Sequence, residues 1–168
     1  MCSSDLIPIE DMVRKIQVAV DSRTDPNFLI IARTDARTSL GLDEALRRGE
    51  AYARAGADIL FIESPESEEE MRRIGKAFDL PLLANMVERG RTPVLSKQDL
   101  ESIGYKLAIF PVTALLAAVA AMKSVYQQFQ DQGSSSGGTT PLFDFSELTK
   151  LMGFEDVWEF EKRYAEVK

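Results

Sequence analysis

Four short apolar segments recur at intervals of roughly 25 residues, and each is followed by a stretch of helical character. They are Phe28-Leu29-Ile30-Ile31-Ala32, Ala57-Asp58-Ile59-Leu60-Phe61-Ile62, Leu80-Pro81-Leu82-Leu83-Ala84 and Leu107-Ala108-Ile109-Phe110. Periodicity alone does not separate such runs from buried helix. Their length and their flanking turn residues, such as Thr24-Asp25-Pro26-Asn27 before the first, favour strands. A strand that is apolar along its whole length is buried on both faces, as a parallel sheet requires. The expected fold is therefore α/β, with right-handed crossovers between parallel strands. A closed (β/α)8 barrel takes eight strand–helix units and ~250 residues, and this chain of 168 residues has half the units. A doubly wound open sheet would carry a glycine-rich phosphate loop after its first strand, and the segment after Ala32 has none.

Helices fill the gaps. Pro8 at a first-turn position and Met12, Ile16, Val18 and Val20 suggest a helix from Ile9 to Asp21. Leu42 to Ala55 sets Leu42, Ala45, Leu46 and Ala53 against acids and arginines, with Gly56 as its stop. Ser67 with Glu70 three residues on forms a capping box for a helix reaching Phe78. Ser96 opens a short helix ending near Gly104, and Thr113 a long Ala- and Leu-rich one to Gln132. The Ser/Gly run from Gln132 to Thr139 reads as a flexible connection, followed by helices over Phe145–Met152 and Glu155–Val167.

Composition removes several functions. The net charge of −7, from 20 basic and 27 acidic residues, argues against a nucleic-acid or anionic-membrane surface. No apolar run reaches the ~20 residues of a membrane span. The lone cysteine, Cys2, rules out an internal disulfide and suits a reducing cytoplasm. With no histidine, Ser-His-Asp and Cys-His schemes and histidine metal sites are excluded from the chain.

In parallel α/β folds the working residues gather at the C-terminal ends of strands. Here the ends read Arg33-Thr34-Asp35-Ala36-Arg37, Glu63-Ser64-Pro65, Asn85-Met86-Val87-Glu88 and Pro111-Val112-Thr113. A cation, an anion and an amide would converge on one rim. The planar fork of Arg33 suits a carboxylate, and it serves equally as a structural ion-pair partner for Glu63. Alone, Glu63 reads as a structural acid and Asn85 as a turn residue. The run Glu66 to Glu70 reads as a solvated helix start favoured by the helix dipole.

Taken together, the segments Ile31-Ala32-Arg33-Thr34-Asp35-Ala36, Gly41-Leu42-Asp43-Glu44-Ala45, Phe61-Ile62-Glu63-Ser64-Pro65, Leu83-Ala84-Asn85-Met86-Val87-Glu88 and Phe110-Pro111-Val112-Thr113-Ala114 resemble the isocitrate lyase/phosphoenolpyruvate mutase superfamily. The likeness is nearest to its 2-methylisocitrate lyase-like, dimethylmalate lyase-like and carboxyvinyl-carboxyphosphonate phosphorylmutase-like members. It implies the C-terminal half, strands 5–8, of a (β/α)8 barrel plus C-terminal helices. It also implies a Mg²⁺-dependent enzyme that makes or breaks C–C or P–C bonds of small 2-oxo and 2-hydroxy acids through an enolate. In that reading Arg33 binds a substrate carboxylate or the enolate oxygen, Glu63 holds substrate or metal-bound water, and Asn85 donates to the substrate.

Two departures bear on the substrate. The positions where methylisocitrate lyases of the family carry carboxylate-binding arginines are matched by Leu116 and Phe145. An apolar residue there leaves a third carboxylate unpaired, which favours a smaller acid over a tricarboxylate. The family's metal-binding aspartates, its serine–glycine–glycine loop and its Lys-(Lys/Arg)-Cys-Gly-His gating loop have no match in this chain. Cys2 is followed by Ser3-Ser4, so it is not read as that gating cysteine. No metal ligand is therefore expected within the chain. Residues 1–6 are expected to be a non-native leader of the kind a sequencing adaptor encodes, residues 7–132 a half barrel, 133–142 a linker and 143–168 the terminal helices. The resemblance implies a tetramer when intact and little or no activity for this chain alone. A self-associating, non-catalytic half barrel is the reading from another class.

Overall fold

The computed structural model describes residues 6–165, and Cys2 with the rest of residues 1–5 lies outside them. The elements run α1 (Ile9–Ser22), β1 (Ile31–Thr34), α2 (Ala36–Leu40), α3 (Leu42–Arg54), β2 (Ile59–Ile62), α4 (Glu68–Ala77), β3 (Leu82–Asn85), α5 (Lys97–Ile103), β4 (Tyr105–Ile109), α6 (Thr113–Gln132), α7 (Phe145–Leu151) and α8 (Phe154–Tyr164). All neighbouring strands are parallel and follow chain order, β1-β2-β3-β4. The described chain divides into two compact units between Leu115 and Leu116.

The first strand is displaced from its expected position. Phe28 and Leu29 are exposed, and the strand begins at Ile31. The cause is Asp58, whose carboxylate accepts the Ile30 N–H at 2.8 Å and the Arg23 guanidinium at 2.6 Å. Arg23 also donates to the Phe28 carbonyl at 3.2 Å. This clip holds residues 28–30 as an ordered approach to the sheet and carries β1 two residues further, so that Arg33 and Thr34 lie within it. The segment just beyond folds as the short helix α2, which the apolar pattern does not signal.

The pleat sorts the strand residues by face. Ala32, Leu60, Ile62, Leu82, Ala84 and Tyr105 join the core that packs under the helices with Ile16, Tyr52, Met71, Ile74 and Leu100. Ile59, Phe61 and Leu83 form a small cluster on the opposite face. Leu82 pairs with Tyr105 but Leu83 pairs with Leu107, so Lys106 is an extra residue in β4. That bulge switches the face of every later residue, and it places Leu107 and Ile109 alongside Leu83 and Asn85. Leu6, at the end of the expected leader, packs against the helix-side core.

Helix termini follow local chemistry. Ser67 caps α4 by accepting the Glu70 N–H, while the Glu70 carboxylate turns to the Glu66 N–H in place of closing a capping box on Ser67. Gly56, at φ +100°, follows the end of α3. Arg48 is buried, and its guanidinium is satisfied by the Ile7 carbonyl at 2.9 Å and by Glu44 at 2.9 Å. In the second unit, the Gln128 amide on α6 donates to the carbonyls of Ser134 and Ser136. Asp144 caps α7 by accepting the Glu147 N–H. No residue of α6, α7 or α8 is buried. Leu116 and Phe145 are both exposed. Among the described residues, no helix is long and apolar enough to cross a membrane.

Helices α4 and α5 meet closely at Gly75, where an added Cβ would lie 2.0 Å from the Ile103 carbonyl oxygen and 2.9 Å from its Cγ2. Gly75→Ala is expected to force α4 and α5 apart at a cost of about 1–3 kcal/mol. Denaturant titration by circular dichroism checks this, and an unchanged midpoint would contradict the packing described.

Candidate active site

The three expected site residues come together on one rim. Arg33 projects from the face of β1 opposite the helices, beside Phe61, its register partner on β2. Its guanidinium carbon sits 4.8 Å from the centre of the Phe61 ring. Its fork is held by Asp35, with Nε donating to Oδ2 at 2.9 Å and Nη2 to Oδ1 at 2.7 Å. Nη1 lies 3.5 Å from Glu63 Oε2. The side chain is still 47% exposed, which leaves room for a ligand. The Asp35 hydrogen bond raises the Arg33 pKa further, against the effect of burial, so the group is a fixed cation.

Glu63 follows β2 directly, and its backbone N–H donates to the Thr34 carbonyl at 3.0 Å, which ties the ends of β1 and β2. Its carboxylate accepts from Asn85 Nδ2 at 3.3 and 3.4 Å and from Ser64 Oγ at 3.1 Å. Ser64 adopts a left-handed φ of 58°, a conformation costly for a non-glycine residue and frequent near functional sites. Asn85 Oδ1 is buried without a hydrogen-bond partner. Further along the same loop, the Thr113 hydroxyl donates to Glu88 Oε1, while Glu88 Oε2 is buried and unpartnered. The Thr113 hydroxyl and the residue's own backbone N–H hold the Glu88 carboxyl below the usual range. Buried acceptors without donors are rare, and two of them, Asn85 Oδ1 and Glu88 Oε2, lie at and just after the end of β3.

The ion-pair reading of Arg33 is represented in the geometry. Its fork goes to Asp35, with Glu63 a longer-range partner, and the side chain stays half exposed. The role of Asp35 was missed in the sequence reading, although an acid two residues beyond a strand-end arginine is a usable signal. The Glu88–Thr113 pair joins residues 25 apart and had no local signal at all. The acids between Glu66 and Glu70 are not simply solvated. Arg37 binds Glu70 through two hydrogen bonds of 2.9 and 2.7 Å and Glu66 at 2.5 Å.

Comparison with known proteins places this geometry in a family. Residues 2–130 match the family described as phosphoenolpyruvate phosphomutase, and the chain belongs to that family. It is 47% identical over 165 residues to the 2,3-dimethylmalate lyase of Eubacterium barkeri, covering 98% of this chain and 57% of that protein. It is 42% identical to the 2-methylisocitrate lyase of Aeropyrum pernix, over 96% of this chain and 51% of that one. Among solved structures, a 2,3-dimethylmalate lyase described as a PEP mutase/isocitrate lyase superfamily member superposes with a TM-score of 0.83 at 30% identity, over 97% of this chain and 58% of that one. A phosphonopyruvate hydrolase solved with oxalate and Mg²⁺ superposes at 0.84 and 30% identity, over 99% and 59%. The chain thus spans about half the length of the relatives it matches, and its four parallel strands are half of the superfamily's barrel.

The residues described here do not by themselves fit Mg²⁺, which demands near-octahedral oxygen ligation. Asp35 is committed to Arg33, Glu63 has that guanidinium at 3.5 Å, and no group of three or more Asp, Glu, Cys or His among the described residues is arranged to hold a metal ion.

The Arg37 fork holds the Glu70 carboxyl below its ordinary value of 4.5, against the effect of burial. A depressed carboxyl stabilises the fold fully above its unfolded pKa, and that contribution is lost as pH falls through the folded pKa. Glu70→Gln is therefore expected to cost on the order of 1 kcal/mol at neutral pH. The gap to the wild type should narrow as pH drops below 4.5. Urea titrations at a series of pH values check this, and a pH-independent difference would contradict it.

Proposed function

We propose that this chain supplies the carboxylate-binding rim of a lyase that cleaves a C–C bond of a small 2-hydroxy or 2-oxo dicarboxylic acid through an enolate. The observation that carries the reading is Arg33, oriented by Asp35 yet half exposed, beside Glu63 and Asn85 on one rim. Arg33 binds a substrate carboxylate or the oxygen on which enolate charge develops. A pre-oriented cation is worth more to such an oxyanion than to the neutral ground state. Asp35 fixes the guanidinium plane. Glu63 accepts from a substrate hydroxyl, and Asn85 offers its second N–H together with the unpaired Oδ1. The family resemblance matches Leu116 and Phe145 to arginines of tricarboxylate enzymes, which favours a smaller acid of the dialkylmalate or oxaloacetate type.

Mg²⁺ enters this proposal only for a complete barrel, with ligands from outside the residues described here, and none of the roles above runs through it. For the same reason the isolated chain is proposed to lack turnover.

The test fuses the part of the Eubacterium barkeri 2,3-dimethylmalate lyase that precedes the matched region to residues 7–168 of this chain. The fusion is expected to cleave 2,3-dimethylmalate, and Arg33→Gln in it to lower kcat/KM by about 10²–10³-fold. Turnover by the 168-residue chain alone, or a fusion indifferent to Arg33→Gln, would overturn the reading. A fusion that consumed phosphonopyruvate and not the malate would favour P–C chemistry.

A further inference from the structure

Asp35 stands at the N-cap of α2, yet its side chain makes no capping hydrogen bond there, because both oxygens are held by Arg33. The helix it should cap has five residues, far short of what holds itself in water. Ala36 anchors the segment in the core, where it is fully buried, and its N–H donates to Thr34 Oγ1 at 3.3 Å. The polar anchor on α2 itself is Arg37.

Its Nε and Nη2 grip Glu70 at 2.9 and 2.7 Å, and its Nη1 reaches Glu66 Oε1 at 2.5 Å. Glu70 Oε2 also accepts the Glu66 N–H at 2.8 Å, and Glu66 Oε1 lies 3.5 Å from Arg91 Nη1. One guanidinium therefore ties the segment after β1 to the one after β2 and, through Glu66, to the one after β3. These are the segments that follow Arg33, Glu63 and Asn85. The Arg37 side chain is 16% exposed and that of Glu70 22%, so the network is partly shielded from water and salt. Ion pairs such as Arg72–Glu68 and Arg54–Glu50 lie within single helices, whereas Arg73–Asp43 joins α4 to α3.

We propose that Arg37 is a positioning residue: its clamp on Glu66 and Glu70 holds α2, and through α2 the Asp35 that aims Arg33 at a ligand carboxylate. The functional meaning rests on the rim reading given above, but the clamp itself is testable without any ligand. Lysine cannot replace it, because the grip is bidentate and planar.

The experiment is nuclear magnetic resonance of the ¹⁵N-labelled 168-residue chain, reading the Arg33 Nε–H signal and the exchange rate of the Glu63 amide. That amide donates to the Thr34 carbonyl at the end of β1. In Arg37→Gln, and equally in Arg37→Lys, the Arg33 Nε–H signal is expected to broaden or move to the position of a solvated arginine. Glu63 amide exchange should rise at least tenfold. The Leu60 amide, bonded to the Pro81 carbonyl deeper in the sheet, should exchange as before. Arg47→Gln breaks a similar two-bond fork to Glu44 on α3 and should change neither reporter. A folded Arg37→Gln protein with wild-type Arg33 and Glu63 behaviour would overturn the proposal. Should that variant fail to fold, Glu70→Gln breaks the clamp from the other side, and the same two outcomes decide. Because no ligand is used, failure here leaves the substrate reading standing, and an inactive fusion leaves the clamp standing.

Discussion

Everything at the rim depends on which face of the sheet β1 presents. Parallel pairing of Ile31–Thr34 with Ile59–Ile62 sends Ala32 and Thr34 under the helices and leaves Ile31 and Arg33 on the other side. A slip of one residue would exchange those faces and drive a guanidinium into a core of Met71, Ile74 and Leu60, at a cost of several kcal/mol for an unpaired charge. The register is set at the start of the strand by Asp58. Its backbone N–H and that of Ile59 donate to the Ile30 carbonyl, while its carboxylate returns to the Ile30 N–H. A structural acid at one end of the strand thus determines where Arg33 emerges at the other.

The same division by face explains the surface that remains. The helix side of the sheet is filled, whereas the other side buries only Ile59, Phe61 and Leu83 and leaves Ile31, Leu107 and Ile109 partly open. In a closed barrel such residues fill the interior in layers. Among the described residues β1 and β4 each pair on one side only, so the rim they carry has strand-end polar groups from half of a barrel. Arg33 and its supporting acids are fully built, but the donor set stops short of a metal site.

The fold class was readable because four apolar runs of strand length alternate with amphipathic stretches, and hydrophobic burial dominates that choice. Arg33, Glu63 and Asn85 stood out for the same reason, as polar groups ending apolar runs. Strand limits were less readable. Phe28 and Leu29 look like strand to any hydrophobicity argument, and they lie outside it because of a hydrogen-bonded clip between residues 30 and 58. The bulge at Lys106 was invisible, since it is a property of pairing and not of composition. The Arg37–Glu66–Glu70 clamp was read as a solvated acidic run because its cation comes from 33 residues away from Glu70. Interactions of that range leave no local pattern.

The central claim is that this chain carries a pre-organised carboxylate rim that is only part of a site. Thermal melts followed by circular dichroism, with and without Mg²⁺ and oxalate together, test it most directly. The account predicts cooperative unfolding of the 168-residue chain at the same temperature in both conditions, because the metal that would bind the oxalate has no ligand set among the residues described. A clear upward shift, growing with ligand concentration as selective binding to the folded state requires, would mean that these four strand–helix units assemble a complete site and would contradict the account.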